Sequence, residues 1–234
     1  ANIEAESVRV RVEANKLQAE TSAALNYARV AEADAVTAEL KLAWTRLEDE
    51  EKRTADKYHH VYRFTAEVSD SSVSTCLDRL NYWHRTAPLV PIRVIFSSPG
   101  GSVIAGLVLF DTLCELRKTH HITTESLGWS ASMAGILLQA GTRRVMHREA
   151  WLLIHEISLG TWGKVGEVED VLEWIKHIQR RILQVFADRC KEAGKNGTAK
   201  KPLTFKQLEK GWRRKDWWVD SQEALDYGLV DEVI

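Results

Sequence analysis

The sequence predicts one α/β domain of the βαβ type preceded by a long α-helical arm, and three observations predict it. The first proline is Pro88 and the first glycine Gly100, so the opening stretch lacks both strong helix breakers. From Val61 onward, short apolar runs rich in β-branched residues alternate with helical stretches, the signature of strand–helix–strand units. Glycine, serine and proline turns such as Ser97-Ser98-Pro99-Gly100-Gly101 separate them.

Residues 1 to about 57 are rich in Ala, Glu, Leu, Arg and Lys. Their apolar residues (Leu17, Leu25, Val30, Val36, Leu40, Trp44 and Leu47) follow helical spacing without a clean heptad. One or two helices are expected over residues 1–60. They form either a coiled coil or assembly segment, or an amphipathic arm lying on its own domain or on a neighbouring subunit. Residues 61–234 form the second domain. Its expected strands are Val61–Phe64, Ile92–Phe96, His121–Glu125, Arg144–Met146 and Trp151–Ile154. Helices are expected over Ser71–His84, Val103–Arg117, Ala131–Ala140, Val165–Lys191 and Leu203–Lys210, with a turn at Gly128. Asp220-Ser221-Gln222-Glu223 has capping-box chemistry before a last helix, Ala224–Tyr227, that stops at Gly228.

Bulk properties exclude several classes. A formal net charge of −1 gives no general pull toward nucleic acid or an anionic membrane surface. The clusters Lys200-Lys201 and Arg213-Arg214-Lys215 read as solvated surface. Cys76, Cys114 and Cys190 are far apart and form neither a metal-ligand spacing nor a redox pair; Cys76 and Cys114 read as small core groups. No apolar run approaches the roughly 20 residues that span a bilayer, and the charged start does not read as a signal peptide. A soluble, cytoplasmic protein is expected, with no metal and no cofactor.

The chemistry-bearing residues begin with Gly128-Trp129-Ser130-Ala131-Ser132-Met133-Ala134-Gly135. A serine where a strand gives way to an apolar helix sits among free backbone N–H groups that favour developing negative charge; the competing assignment is an ordinary helix cap. Gly100-Gly101 follows a buried strand and offers backbone amides without Cβ obstruction, although an ordinary turn starting at Pro99 is the alternative. The amides of Gly101 and Met133 could form a two-donor pocket for a tetrahedral oxyanion. His155 ends the apolar run Trp151–Ile154, where an imidazole can serve as base for a serine. The other histidines lie in polar junctions, near turns or within a helix.

Taken together these segments resemble the Clp protease proteolytic subunit family. Phe96-Ser97-Ser98-Pro99-Gly100-Gly101-Ser102 resembles its Ser-Pro-Gly-Gly segment, Gly128–Gly135 its nucleophile motif and Leu153-Ile154-His155 its histidine motif. Glu223–Asp231 resembles its terminal segment. The four occur in family order across about Val61 to Ile234. The resemblance implies a ClpP/crotonase-like fold and serine endopeptidase activity, with Ser132 as nucleophile, His155 as base and Asp216 as third member. Asp220 competes with Asp216, whereas Asp170 and Asp231 fit a helix surface and a terminal strand.

The resemblance further implies a peptide or protein substrate, paired as an added strand beside Gly101, Ser102 and Val103. Gly160–Gly166 resembles the glycine-rich handle that joins two heptameric rings, so a homo-oligomeric ring is expected. The family's axial loop is not recognisable, which leaves docking of an AAA+ unfoldase open; no Walker A motif is present. Phage members of the family act in prohead maturation, so capsid or scaffold proteins are candidate partners. Two other readings remain: a non-catalytic or self-processing assembly protein, and a crotonase-like acyl-CoA enzyme.

Overall fold

A computed structural model describes the backbone of residues 2–234; within the first helix, side chains are described for residues 9, 11, 13, 15–47 and 50. The chain divides into two compact units, Ala1–Ala55 and Asp56–Ile234. Helix α1 (Asn2–Tyr58) is continuous over 57 residues, a length of about 86 Å at 1.5 Å per residue. Every described side chain in it is exposed, including Leu17, Leu25, Val30, Leu40 and Trp44.

The second unit is built on a seven-stranded sheet: β1 (Val61–Phe64), β2 (Ile92–Ser98), β3 (Ile122–Ala131), β4 (Arg143–Met146), β5 (Trp151–Ile154), β6 (Trp217–Asp220) and β7 (Glu232–Val233). The order β1-β2-β3-β4-β7 is parallel throughout, and β5 branches off beside β3 to pair antiparallel with β6. Parallel neighbours need crossover connections, and α2 (Asp70–Thr86), α3 (Val103–Leu116) and α4 (Met133–Leu138) supply them between β1, β2, β3 and β4; α5 (Val165–Lys195) and α6 (Phe205–Trp212) link β5 to antiparallel β6, and α7 (Ser221–Tyr227) leads from β6 to β7. Strand β2 carries Ile92, Val94 and Phe96 at 1% exposure or less, as the apolar run of a covered parallel sheet should, whereas β3 follows Ile122 with the buried polar residues Thr124, Glu125 and Ser126.

Two expectations are corrected. The turn anticipated at Gly128 does not interrupt the chain: β3 runs through it to Ala131, with Gly128 at φ 75° and a register shift opposite Phe96 and Ser98. The left-handed kink, open to glycine without steric cost, lets one strand serve two neighbours. Thr123–Ser126 pair with β4, and Trp129–Ala131 pair with β5. Strand β6 was not anticipated, because Trp217-Trp218-Val219-Asp220 is short and follows a cationic turn. Cys114, expected in the core, is only half-buried, whereas Cys76 and Cys190 are fully buried. Burial pushes the Cys190 thiol up to about 11 and the Cys76 thiol higher still, so neither supplies a thiolate nucleophile near neutral pH.

Two ion pairs tie the frame together. Arg144, 1% exposed, donates to both Asp231 carboxylate oxygens, to Gln139 Oε1 and to the Gly228 and Leu229 carbonyls. It thereby clamps the terminal segment onto β4. Burial alone would raise the Asp231 carboxyl, but the hydrogen bonds and charge of Arg144 outweigh it and hold it below the usual carboxylate range. On β3, Glu125 is 2% exposed and accepts from Arg93 Nε at 2.6 Å and His147 Nε2 at 2.5 Å. Its carboxyl is likewise lowered, burial opposing and the two donors prevailing.

Candidate active site

The site begins where β3 ends. Ser132 is the N-cap of α4, but its side chain makes no capping hydrogen bond. This separates it from Ser69, Ser102 and Thr204, whose hydroxyls accept from the first turn of α2, α3 and α6. Ser132 is also held at φ 53° and ψ −122°, a region costing on the order of 1–3 kcal/mol for a residue with a Cβ. A hydroxyl in a strained strand-to-helix turn, unused by the helix it starts, is the local geometry of a presented nucleophile.

The surroundings impose that turn. Gly100, at φ 88°, lies so close behind it that a Cβ there would meet Ala131 O at 2.5 Å, Ser132 Cβ at 2.7 Å and Met133 N at 2.9 Å. The Ser132 N–H donates to Leu153 O at 2.9 Å, and Ala131 pairs with Leu153 across β3 and β5. The strand that fastens the serine therefore leads directly into His155, two residues beyond Leu153. All six residues of α4 are buried, so the helix cannot drift without opening the core.

One cleft of about 230 Å³ is lined by Ser132, His155, Gly101, Met133 and Val103 together. Five of the sequence-predicted residues thus converge. Met133 is the first residue of α4, and its N–H has no helical carbonyl partner. Gly101 bridges Val68 through its neighbours: Val68 N–H donates to Gly100 O and Ser102 N–H to Val68 O, both at 2.7 Å. That pattern leaves the Gly101 N–H outside the bridge. Two amides accordingly border the cavity that holds the serine.

Two predicted residues lie outside that lining. Ser102 accepts from Ala105 N–H at 3.3 Å as the cap of α3. Asp216 is exposed, immediately before β6. The antiparallel β5–β6 ladder ends with Ile154 opposite Trp217, and His155 and Asp216 are the next residues beyond that end of the two strands. Its competitor Asp220 is occupied elsewhere: its carboxylate accepts from Glu223 N–H at 2.8 Å while Glu223 reaches back to Asp220 N–H, the anticipated capping box. Among the described residues no hydrogen bond joins Ser132, His155 and Asp216.

The apolar walls of the cleft escaped sequence reasoning. Ile136, Ile154, Ile182, Phe186 and Trp212 form them. Only the i, i+4 pair Ile182 and Phe186 left a trace, as part of the buried stripe of α5. Among the described residues no group of three His, Cys, Asp or Glu side chains could hold a metal ion, and no helix is long and apolar enough to cross a membrane.

Fold and cleft together define an α/β protein whose candidate reacting groups gather where β3 and β5 end, the usual ligand position in such sheets. The chain belongs to the Clp protease family, whose model matches residues 50–234. Curated relatives agree. An ATP-dependent Clp protease proteolytic subunit of Bacteroides fragilis is 29% identical over 72% of this chain and 75% of its own length. One of Bacteroides thetaiotaomicron is 28% identical over 72% and 71%.

Proposed function

We propose that this chain is a serine endopeptidase that cleaves peptide bonds through an acyl-enzyme on Ser132. The observation that carries the reading is the Ser132 hydroxyl, free of any capping role and bordering the same cleft as His155. His155 accepts the Ser132 proton as Oγ attacks the scissile carbonyl, and the carbonyl becomes a tetrahedral oxyanion. The Gly101 and Met133 amides supply the donors that stabilise it. His155 then protonates the leaving amine, and water hydrolyses the ester with His155 again as base. Asp216, beyond the same end of the β5–β6 ladder as His155, orients the imidazole and stabilises its charged form. The missing hydrogen bonds fit catalytic contacts that tighten with substrate or on assembly.

The substrate lies as an added strand beside Gly101, Ser102 and Val103, with one side chain in the apolar cleft. A cavity of about 230 Å³, below the roughly 300–1,000 Å³ of small-molecule sites, suits a single residue. Homo-oligomeric assembly is part of the proposal, and the surface that favours it is the start of α5 with the segment before it. Trp162 is 92% exposed and Val165 76%, and α5 buries nothing before Ile178; large apolar groups so displayed mark a contact surface.

The test is hydrolysis of unstructured casein-derived peptides by the protein and its Ser132→Ala, His155→Ala and Asp216→Asn variants. Loss of at least about 10³-fold in kcat is expected for the first two. Turnover by Ser132→Ala within tenfold of the unmodified chain contradicts the proposal.

A further inference from the structure

The cations after Lys200 read from the sequence as solvated surface, but the fold gathers them beside the cleft. Between residues 200 and 215 there are seven Lys or Arg and one Glu, in a chain of net charge −1. Lys206, Lys210, Arg213 and Arg214 surround an open depression of about 530 Å³, in which Glu209 is the one carboxylate. Lys210 also borders, with Lys201 and Lys215, a second depression. Lys200 is paired with Asp226 at 3.3 Å. Among the described residues, the side chains of Lys206, Lys210, Arg213 and Arg214 have no carboxylate partner.

This cationic depression and the apolar cleft share no lining residue, but consecutive residues of one turn connect them. Trp212, 4% exposed, ends α6 as a wall of the cleft, and the next residue, Arg213, lines the depression. The turn is pinned from the other side as well: Arg214, at φ 57°, donates its backbone N–H to Glu156 Oε2 at 2.9 Å, and Glu156 follows His155. Four unpaired cations around a concavity focus a positive potential, and guanidinium forks match carboxylate geometry. The Glu156 carboxylate, held against the backbone of the turn, offsets part of that field without filling the depression.

We infer that the α6 rim is a substrate subsite selecting peptides with acidic side chains a few residues from the scissile bond. It rests on the peptidase reading and narrows its substrate class. The attraction decays over about 8 Å at physiological ionic strength, so it acts on groups delivered into the depression and weakens with salt. A peptide rather than a nucleic acid is favoured because the turn carrying Arg213 and Arg214 is bonded to Glu156, the neighbour of His155, beside a cleft sized for one side chain.

The experiment uses the 234-residue chain carrying Ser132→Ala and labelled peptides that differ only in three consecutive Asp, Asn or Lys residues. The Asp peptide should bind roughly tenfold more tightly than the Asn peptide at low salt, and the Lys peptide most weakly. The Asp advantage should vanish at 0.5 M salt, about where the screening length falls well below 8 Å, and in a Lys206→Glu, Lys210→Glu, Arg213→Glu variant shown by its thermal melt to be folded. Gln at the same three positions serves if the reversal unfolds the chain. Equal binding of Asp and Asn peptides, or an advantage that survives the triple change, overturns the inference. Binding of a (dT)20 oligonucleotide as tight as that of the Asp peptide also overturns it and assigns the patch to nucleic acid. In parallel, the chain with Ser132 intact is assayed on the same peptides. Selective binding without turnover leaves the subsite standing and the peptidase reading fallen; turnover without selection does the reverse.

Discussion

Helix α1 runs 57 residues with every described side chain exposed, whereas α4 runs six residues with every side chain buried. The first is a helix for local reasons. It has no Gly or Pro, it is rich in Ala and long straight-chain residues, and Thr21, Thr37 and Thr45 bond back to carbonyls four residues earlier. The second is far shorter than the roughly 12–15 residues an isolated helix needs in water, so the core must hold it. The contrast explains why strain can be stored at Ser132: an element supported from outside can keep its first residue in a costly conformation.

Substitutions sharpen the contrast. The largest effect is expected at Arg144, where Arg144→Ala leaves the half-buried Asp231 carboxylate without its cation and should cost about 3–5 kcal/mol in urea unfolding. An Arg144→Met, Asp231→Leu double variant should recover much of that loss, since it removes both charges; failure to recover would point to the Gln139 and carbonyl contacts instead. Next comes Gly100→Ala. The added methyl meets backbone atoms at 2.5–2.9 Å, so a loss of about 2–4 kcal/mol is expected, together with loss of labelling at Ser132. A melting temperature unchanged from that of the unsubstituted chain would show that the Ser132 turn has room to move.

Acid acts on the peptidase unit in a defined direction. The Asp231 and Glu125 carboxyls are both held low by their cationic partners. Their stabilisation is therefore present above the unfolded carboxylate values near 4 and is lost as pH falls through the lower folded values. Urea midpoints measured from pH 6 down to pH 3 should fall, mostly below about pH 4, and Asp231→Asn should flatten the slope. The smallest effect is expected in the arm. Ala35→Gly should cost about 1 kcal/mol of local helix stability, read by hydrogen exchange within residues 30–40, with no change in the urea midpoint of the second unit. A global loss would mean that the arm is packed against something.

What could be read from the residues divides along the same line. The breaker-free start announced α1, and the glycine, serine and histidine motifs announced the elements that meet at the cleft. Asp220 and Glu223 likewise announced their own capping box, since its partners are three residues apart. Strand β6 could not be read, because Trp217–Asp220 becomes a strand only by pairing with Trp151–Ile154. The cleft walls Ile136, Ile154 and Trp212 were illegible for a similar reason: α4, β5 and α6 meet there only through the fold. The free hydroxyl of Ser132 was also invisible, because motif spacing does not distinguish a capping serine from a presented one.

The central claim is most directly tested by treating the protein with a fluorophosphonate and mapping the adduct by peptide mass spectrometry. A single covalent adduct on Ser132, suppressed in His155→Ala, is the expected result. A stoichiometric adduct on any other serine, or none on Ser132 in a folded sample, contradicts it.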